Sequence, residues 1–143
     1  MIETALSSES KQPIDINHLA GARQKAFDQG ISVIQVLEET SGYTPDELIQ
    51  QLGRLLHMPV MEMKAIHTLS PAFDLLPFAE AIMHECALFR RERDYLLAVS
   101  NPFSSKLRAW AEERFDMAIE WHLVHPADLT AFFTKKKKTM RAM

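Results

Sequence analysis

Glycine and cysteine are scarce in this sequence, and each shortage excludes a class of site. The 143 residues include four glycines, and none of them lies in a GxGxxG or GxxxxGK[ST] pattern. Without such a phosphate-binding loop, this chain is not expected to hydrolyse ATP. Its single cysteine, Cys86, cannot form an intrachain disulfide, which is typical of a protein in a reducing cytoplasm.

Long apolar runs and a strong net charge are also missing. No segment approaches the roughly 18 consecutive apolar residues of a membrane-spanning helix. The net charge of −3 provides no general attraction to nucleic acid or to an anionic membrane. The N-terminus lacks a basic segment followed by an apolar core, so residues 1–15 are predicted to be a disordered leader and not a signal peptide.

The histidines do not form a metal-binding pattern. No two of them lie four residues apart on one predicted helix, and there is no HExxH or paired-cysteine motif. The sequence therefore predicts no metal and no other cofactor. The six histidines are His18, His57, His67, His84, His122 and His125.

His84 and Cys86 allow two interpretations. A catalytic cysteine needs a nearby base and a group that orients the base, and His84 is two residues away. A cysteine at the start of a strand more often behaves as a small buried apolar residue. We favour the second interpretation and assign no catalytic residue.

The first half of the chain has helical periodicity. Ile16, Leu19, Arg23, Ala26 and Phe27 keep a helical spacing before Gly30, a residue suited to a left-handed C-terminal cap. A second helical segment covers Ser32–Thr40 and ends near Gly42. In the third, "TPDELIQQLGRLLHMP", Thr44, Pro45 and Glu47 form a capping-box signature. Three helices are thus predicted in residues 16–58.

The second half changes period and predicts an α/β subdomain over residues 59–134. "PVMEM" is read as a strand, and "CALFR" with "YLLAVS" as a hairpin. "SPAFDLLPFAEAIMHE" is read as helical and capped by Ser70, with Pro77 causing either a kink or a division into two short helices. "KLRAWAEERF" predicts a helix, "MAIEWHLV" a strand and "HPADLTAFFTK" a last helix. The predicted fold is α+β: a three-helix subdomain followed by a small β-α-β-β-α-β-α subdomain.

Two basic clusters are potential interaction sites. Arg90, Arg91 and Arg93 lie in the predicted hairpin turn beside Glu92 and Asp94. Such charges often only protect a strand edge, although they can also bind a partner. The lysine run in residues 135–143 is predicted to be a solvated basic tail or linker.

Several motifs occur in an order that resembles one family. They include the "TPDELIQQLGRLLHMP" helix, the "LLP" of residues 75–77, the "CALFRRERDYLLAVSNP" hairpin and the "KLRAWAEERF" helix. The chain resembles, over about residues 17–135, the N-terminal domain of type II secretion and type IV pilus assembly ATPases, the GspE, PilB and MshE group. The resemblance implies a non-catalytic domain that precedes an ATPase core in a longer chain.

The resemblance also implies partners and a location. Such domains dock the motor onto an inner-membrane platform, through the cytoplasmic domain of a GspL-like protein in type II secretion. We therefore expect a cytoplasmic protein, peripheral to the bacterial inner membrane, that contacts this platform and its own ATPase domain, but neither nucleic acid nor the bilayer interior. Arg23 and Gln24 on the first helix are candidate partner contacts, together with the hairpin arginines. An alternative is a regulatory module beside a glycosyltransferase, where related domains also occur.

One branch of the family binds cyclic di-GMP through a pattern close to RLGxxLxxxGxxxxxxLxxxLxxQ. The RLG positions fall on Ser32, Val33 and Ile34, and the terminal Gln position falls on Leu55. The arginine and the amide that would contact the nucleotide are therefore absent, and we expect no useful binding. The apolar and turn positions of the pattern are kept by Leu37, Gly42, Leu48 and Leu52.

Overall fold

The computed structural model describes residues 14–142. Most of the predicted leader, residues 1–13, lies outside the described residues, whereas Asp15 forms the N-cap of the first helix. The described residues form two compact units whose boundary lies between Met58 and Pro59.

The first unit is helical, and the three predicted helices are confirmed. They are α1 (Ile16–Gln29), α2 (Val33–Ser41) and α3 (Pro45–Leu56). Gly30 and Gly42 end the first two with φ angles of 67° and 78°, in the left-handed region that glycine adopts without a steric penalty. The capping box is present: Thr44 Oγ1 accepts the Glu47 N–H at 3.3 Å, and the Glu47 carboxylate accepts the Thr44 N–H at 3.0 Å.

The second unit is a four-stranded sheet with helices. Its elements are α4 (Met63–Thr68), β1 (Ser70–Pro71), α5 (Phe78–His84), β2 (Cys86–Arg90), β3 (Tyr95–Val99), α6 (Ser105–Arg114), β4 (Ile119–Leu123) and α7 (Pro126–Ala142). The strand order is β1-β2-β3-β4, with β2 and β3 antiparallel and β3 and β4 parallel. The parallel pair is possible because α6 carries the chain back between its two strands. The predicted α+β fold is confirmed.

Aromatic residues fill the core of the second unit. Phe89 of β2 and Phe132 of α7 are both fully buried, with ring centroids 5.3 Å apart. Leu96, Val124 and Leu129 belong to the same buried cluster. The core thus attaches the first half of α7 to the sheet.

The sequence placed the first strand wrongly. In the segment Pro59–Met63, Val60 forms a single isolated bridge with Leu123, because α4 begins at Met63 and leaves no room for a longer ladder. Ser70 and Pro71 do not start a helix but pair with β2 as a short edge strand. Proline is tolerated there because an edge strand can leave one backbone position without a donor.

Two helix boundaries also differ from the prediction. Pro77 occupies the N-cap of α5, so one short helix follows it in place of the kinked helix or the two short helices that the sequence predicted. The predicted basic tail is helical, since α7 continues through the lysine run to Ala142. Lysine, methionine, arginine and alanine are good helix formers, and no glycine or proline follows Pro126 to end the helix.

Candidate interaction surfaces

One exposed side of α1 carries three apolar residues and one arginine. Ile16, Ala20, Arg23 and Phe27 follow one another at spacings of four, three and four residues, which places them on one side of a helix. Ile16 is 72% exposed and Phe27 is 84% exposed. We call these four residues the α1 stripe.

The packed side of α1 is formed by small residues. Ala22 and Ala26 are buried, whereas the larger Phe27 next to them is not. The sequence had placed Ala26 and Phe27 in one helical pattern, and the structure separates them onto different sides. In the sequence, the two alanines at positions 22 and 26 could have indicated which side of α1 is packed, because short side chains let a helix pack closely on that side.

The two candidate contacts predicted on α1 lie in or beside this stripe. Arg23 is exposed between Ala20 and Phe27. Gln24 is also exposed, and its side-chain amide donates a 3.0 Å hydrogen bond to the carboxylate of Asp28. Both side chains could therefore meet a partner that covers Phe27.

A separate cleft lies between α1 and α2. It has a volume of about 400 Å³, and the residues that line it include Ile14, Gly21, Lys25, Val36 and Leu37. None of the four stripe residues lines it. The cleft and the α1 stripe are therefore different surfaces of the helical unit.

Two of the three hairpin arginines are engaged in ion pairs. Arg90 donates to both carboxylate oxygens of Asp74, at 2.8 and 2.5 Å. Arg91 forms a fork with Asp94 at 2.8 and 2.7 Å and donates to Glu120 at 3.1 Å. These contacts connect the hairpin to the β1 side and to β4.

The third hairpin arginine, Arg93, is exposed, and within residues 14–142 it makes no ion pair. It is thus the member of the cluster whose charge is not already compensated within the described chain. Arg90 and Arg91 would have to share or exchange their carboxylate partners to bind another protein.

The ion pairs shift the acidities of the carboxylates. Hydrogen bonds from Arg91 hold the pKa of Asp94 below its usual value, and those from Arg90 do the same for the pKa of Asp74. The pKa of Glu120 is lowered first by its 2.6 Å hydrogen bond with His122 and then by the one from Arg91. All three carboxylates are stabilised in their charged form.

Cys86 lacks the environment of a nucleophile. It is fully buried at the start of β2, and this burial, followed by the negative charge of Glu80, raises the pKa of its thiol to about 12. The ring of His84 stacks on Trp110, with centroids 3.8 Å apart. The thiolate, which is the reactive form, is therefore not populated near neutral pH.

The positions of the cyclic di-GMP pattern have structural roles here. Ser32, at the arginine position, is the N-cap of α2 and accepts the Gln35 N–H at 3.0 Å. Leu37, Leu48 and Leu52 are 2%, 0% and 0% exposed. The retained part of the pattern therefore builds the core of the helical unit.

Residues 14–142 contain no group of three or more His, Cys, Asp or Glu side chains arranged to hold a metal ion. In the same part of the chain, every helix is too short or too polar to cross a bilayer.

Comparisons with known proteins identify the fold. The chain matches no protein-family model and no curated protein sequence. It is similar to a structure of MshE with cdg, with a TM-score of 0.65 and 17% identity, over 86% of this chain and 90% of that chain. It is also similar to the N-terminal domain of XpsE, with a TM-score of 0.56 and 12% identity, over 93% of this chain and 91% of that one.

These similarities extend over nearly the whole of each chain, so both units and their order along the chain are shared. This protein has the fold of those two structures, one of which is the N-terminal domain of XpsE. The family resemblance predicted from the sequence is confirmed at the level of the fold.

Proposed function

We propose that this chain is a non-catalytic N-terminal docking domain of a secretion or pilus-assembly ATPase. The observation that carries the proposal is the fold shared, over nearly the full length of both chains, with the N-terminal domain of XpsE. The partner would be the cytoplasmic domain of an inner-membrane platform protein of the GspL type. The protein would then act on the cytoplasmic side of that membrane, ahead of its own ATPase domain.

The α1 stripe is the surface that we assign to this docking. Phe27 and Ile16 expose most of their apolar surface, and burial of a large aromatic side chain is a frequent source of binding energy in protein interfaces. Arg23 and Gln24 would form the polar edge of the contact. The spacing of the stripe suits a partner helix that packs along α1.

Calorimetric titration of the purified chain with the platform protein's cytoplasmic domain tests the proposal. We expect binding, and we expect Phe27→Ser to weaken it at least about tenfold, as for an aromatic residue central to an interface. Met83→Ser is the matched control, because Met83 is 76% exposed but lies on α5 in the other unit. Absence of a complex at tens of micromolar protein would contradict the docking function, and equal effects of both substitutions would contradict the assignment of the surface.

A second candidate function is the sensing of cyclic di-GMP, which is favoured by the similarity to MshE with cdg. We expect this chain not to bind that nucleotide, because Ser32 and Leu55 replace the arginine and glutamine of the pattern. Calorimetry with cyclic di-GMP separates the two functions, with MshE as the control. Micromolar binding would contradict the interpretation of these two positions.

A further inference from the structure

The last strand of the sheet, β4, has a free edge along most of its length. The strand order ends at β4, so only one of its two edges pairs with β3. At the end of the strand, Leu123 is covered on the other edge: its N–H donates to the Pro59 carbonyl and its carbonyl accepts the Met61 N–H, both at 2.8 Å. Among residues 14–142, the positions before Leu123 have no partner strand on that edge.

The register of the parallel pair shows which backbone groups of β4 point to this free edge. The Val124 N–H donates to the Val99 carbonyl at 2.9 Å, so the even-numbered residues of β4 bond to β3. Ile119 and Trp121, like Leu123, therefore direct their N–H and C=O groups away from β3. Within residues 14–142, these groups of Ile119 and Trp121 make no hydrogen bond. A strand edge with unpaired backbone groups is a template for a further strand.

An apolar depression lies beside the same edge, between α6 and β4. It has a volume of about 210 Å³ and is lined by Ala111, Glu112, Phe115, Met117, Ile119 and Trp121, all in the α/β unit. Since Ile119 and Trp121 point to the α6 side of the sheet, a strand added to β4 would direct every second side chain to that side. Apolar side chains at those positions would enter the depression.

Both sides of the free edge carry a carboxylate. On the α6 side, Glu112 lines the depression and makes no ion pair with any residue between 14 and 142. On the other side, the side chain of Glu120 is 49% exposed and shares the guanidinium of Arg91 with Asp94, so two carboxylates meet one cation. A basic side chain of a partner would thus find negative charge on either side of the edge.

The cations near this edge do not cancel that charge. Arg108 lies over the Trp121 ring, 4.7 Å from its centroid, but Asp116 at the start of the connection to β4 offsets it. Arg114 is paired with Glu80 at 2.7 Å. The hairpin residues 92 and 93 carry one charge of each sign. The carboxylates at positions 112 and 120 therefore favour a basic partner.

A second copy of this chain does not fit the edge well. An antiparallel pair of β4 strands that uses Ile119 and Trp121 of both copies would place the two Glu120 carboxylates directly opposite each other. Like charges at directly opposed positions are destabilising, whereas a lysine or arginine at the same position would be favourable. The edge thus selects a strand with a different sequence.

We propose that the free edge of β4 binds an extended segment of another protein, with apolar residues facing α6 and a lysine or arginine facing Glu120. The segment would join the sheet as a fifth strand and form hydrogen bonds with the backbone of Ile119 and Trp121. This edge lies in the α/β unit, and the proposal does not depend on the docking function assigned to the α1 stripe.

Hydrogen exchange of the whole chain, followed by nuclear magnetic resonance, tests this proposal. In the free chain, the amides of Ile119 and Trp121 should exchange faster than those of Glu120 and His122, which bond to β3. The probe is a synthetic peptide of about seven residues that alternates valine and lysine. It should produce saturable shifts in β4 and slow the exchange of the Ile119 and Trp121 amides at least about tenfold.

Two methylated peptides distinguish strand pairing from general attraction. One carries N-methyl groups on its valines and the other on its lysines, so each lacks the N–H donors along one of its edges. Only one edge of an added strand pairs with β4. One methylated peptide should therefore bind at least about tenfold more weakly than the parent peptide, and the other should bind as the parent does.

Charge variants test the assignment of Glu120. A peptide with glutamate in place of lysine should bind at least about threefold more weakly. Glu120→Lys should reverse this preference. Glu113→Lys is the matched control, because Glu113 is exposed on α6 but does not line the depression, and it should leave the preference unchanged. Circular dichroism confirms that both variants are folded.

Four outcomes would overturn the proposal. The first is no saturable shift with millimolar valine–lysine peptide, and the second is equal binding of the two methylated peptides. The third is the same charge preference in the Glu120→Lys and Glu113→Lys variants. The fourth is slow exchange of the Ile119 and Trp121 amides in the free chain, which would show that the edge is already covered; dependence on protein concentration would identify a second copy as the cover.

Discussion

Substitution of Phe27 by serine should barely change the stability of this protein. Phe27 is 84% exposed, so folding removes only about one sixth of its surface from water. Full burial of such a side chain stabilises by about 1.5–3 kcal/mol, so this partial burial contributes about 0.2–0.5 kcal/mol. Phenylalanine and serine have similar helix propensities, which adds no large further change within α1.

Urea denaturation followed by circular dichroism measures this change. Phe132→Ala is the matched comparison, because Phe132 is fully buried against Phe89 and should cost about 3–5 kcal/mol. A loss above about 2 kcal/mol for Phe27→Ser would mean that the side chain is buried in solution. The α1 stripe would then not be available for docking, and the reasoning from its exposure would be refuted.

Three further predictions concern stability and reactivity. Thr44→Ala should lower the free energy of unfolding by about 1 kcal/mol, measured by urea denaturation, because it removes the capping box of α3. The carboxyl groups of Asp94 and Glu120 have lowered pKa values in the folded state, so they stabilise the fold at pH values above their unfolded-state pKa values. This stabilisation is lost as the pH falls through their folded-state pKa values. Arg91→Gln should therefore reduce the loss of stability on acidification, and an unchanged pH dependence would contradict this role. Cys86 should react with a thiol reagent only after unfolding, since burial protects it and raises its pKa to about 12; rapid native labelling would disprove this.

The helical half was predictable because its signals are local. Gly30, Gly42 and the Thr44–Glu47 box each determine a helix end through the conformation or hydrogen bonds of a few neighbouring residues. The hairpin was predictable for a similar reason, since two β-rich runs are separated by a short charged turn. These elements require no information from distant parts of the chain.

The first strand could not be predicted in this way. Ser70 and Pro71 have the local signature of a helix start, but they pair with Phe89 and Arg90 of β2. Strand pairing depends on a partner far along the chain, and this partner prevails over a weak local preference. Val60 does have a distant partner, Leu123, but it forms only a single bridge with it because α4 begins at Met63.

The candidate surfaces were only partly predictable. Arg23 and Gln24 were predicted from the sequence as partner contacts, and the structure shows that both are exposed, but the exposure of Phe27 beside them was not predicted. A phenylalanine in an amphipathic pattern normally belongs to the core. On the α/β unit, a groove between α5 and α7 is lined by Ile82, Ser100 and Lys137, which are far apart in the sequence, so no linear pattern contains it.

By itself, the sequence determined the three helices of the first unit with their caps, the hairpin of β2 and β3, and the absence of a glycine-rich phosphate loop, because each depends on residue type and short spacing. Only the tertiary structure decided which side of α1 is buried, which arginines are paired with carboxylates, and where the lysine-rich helix borders a groove. Burial and ion pairing depend on which distant segments meet in space, and this information is not carried by any short stretch of the chain.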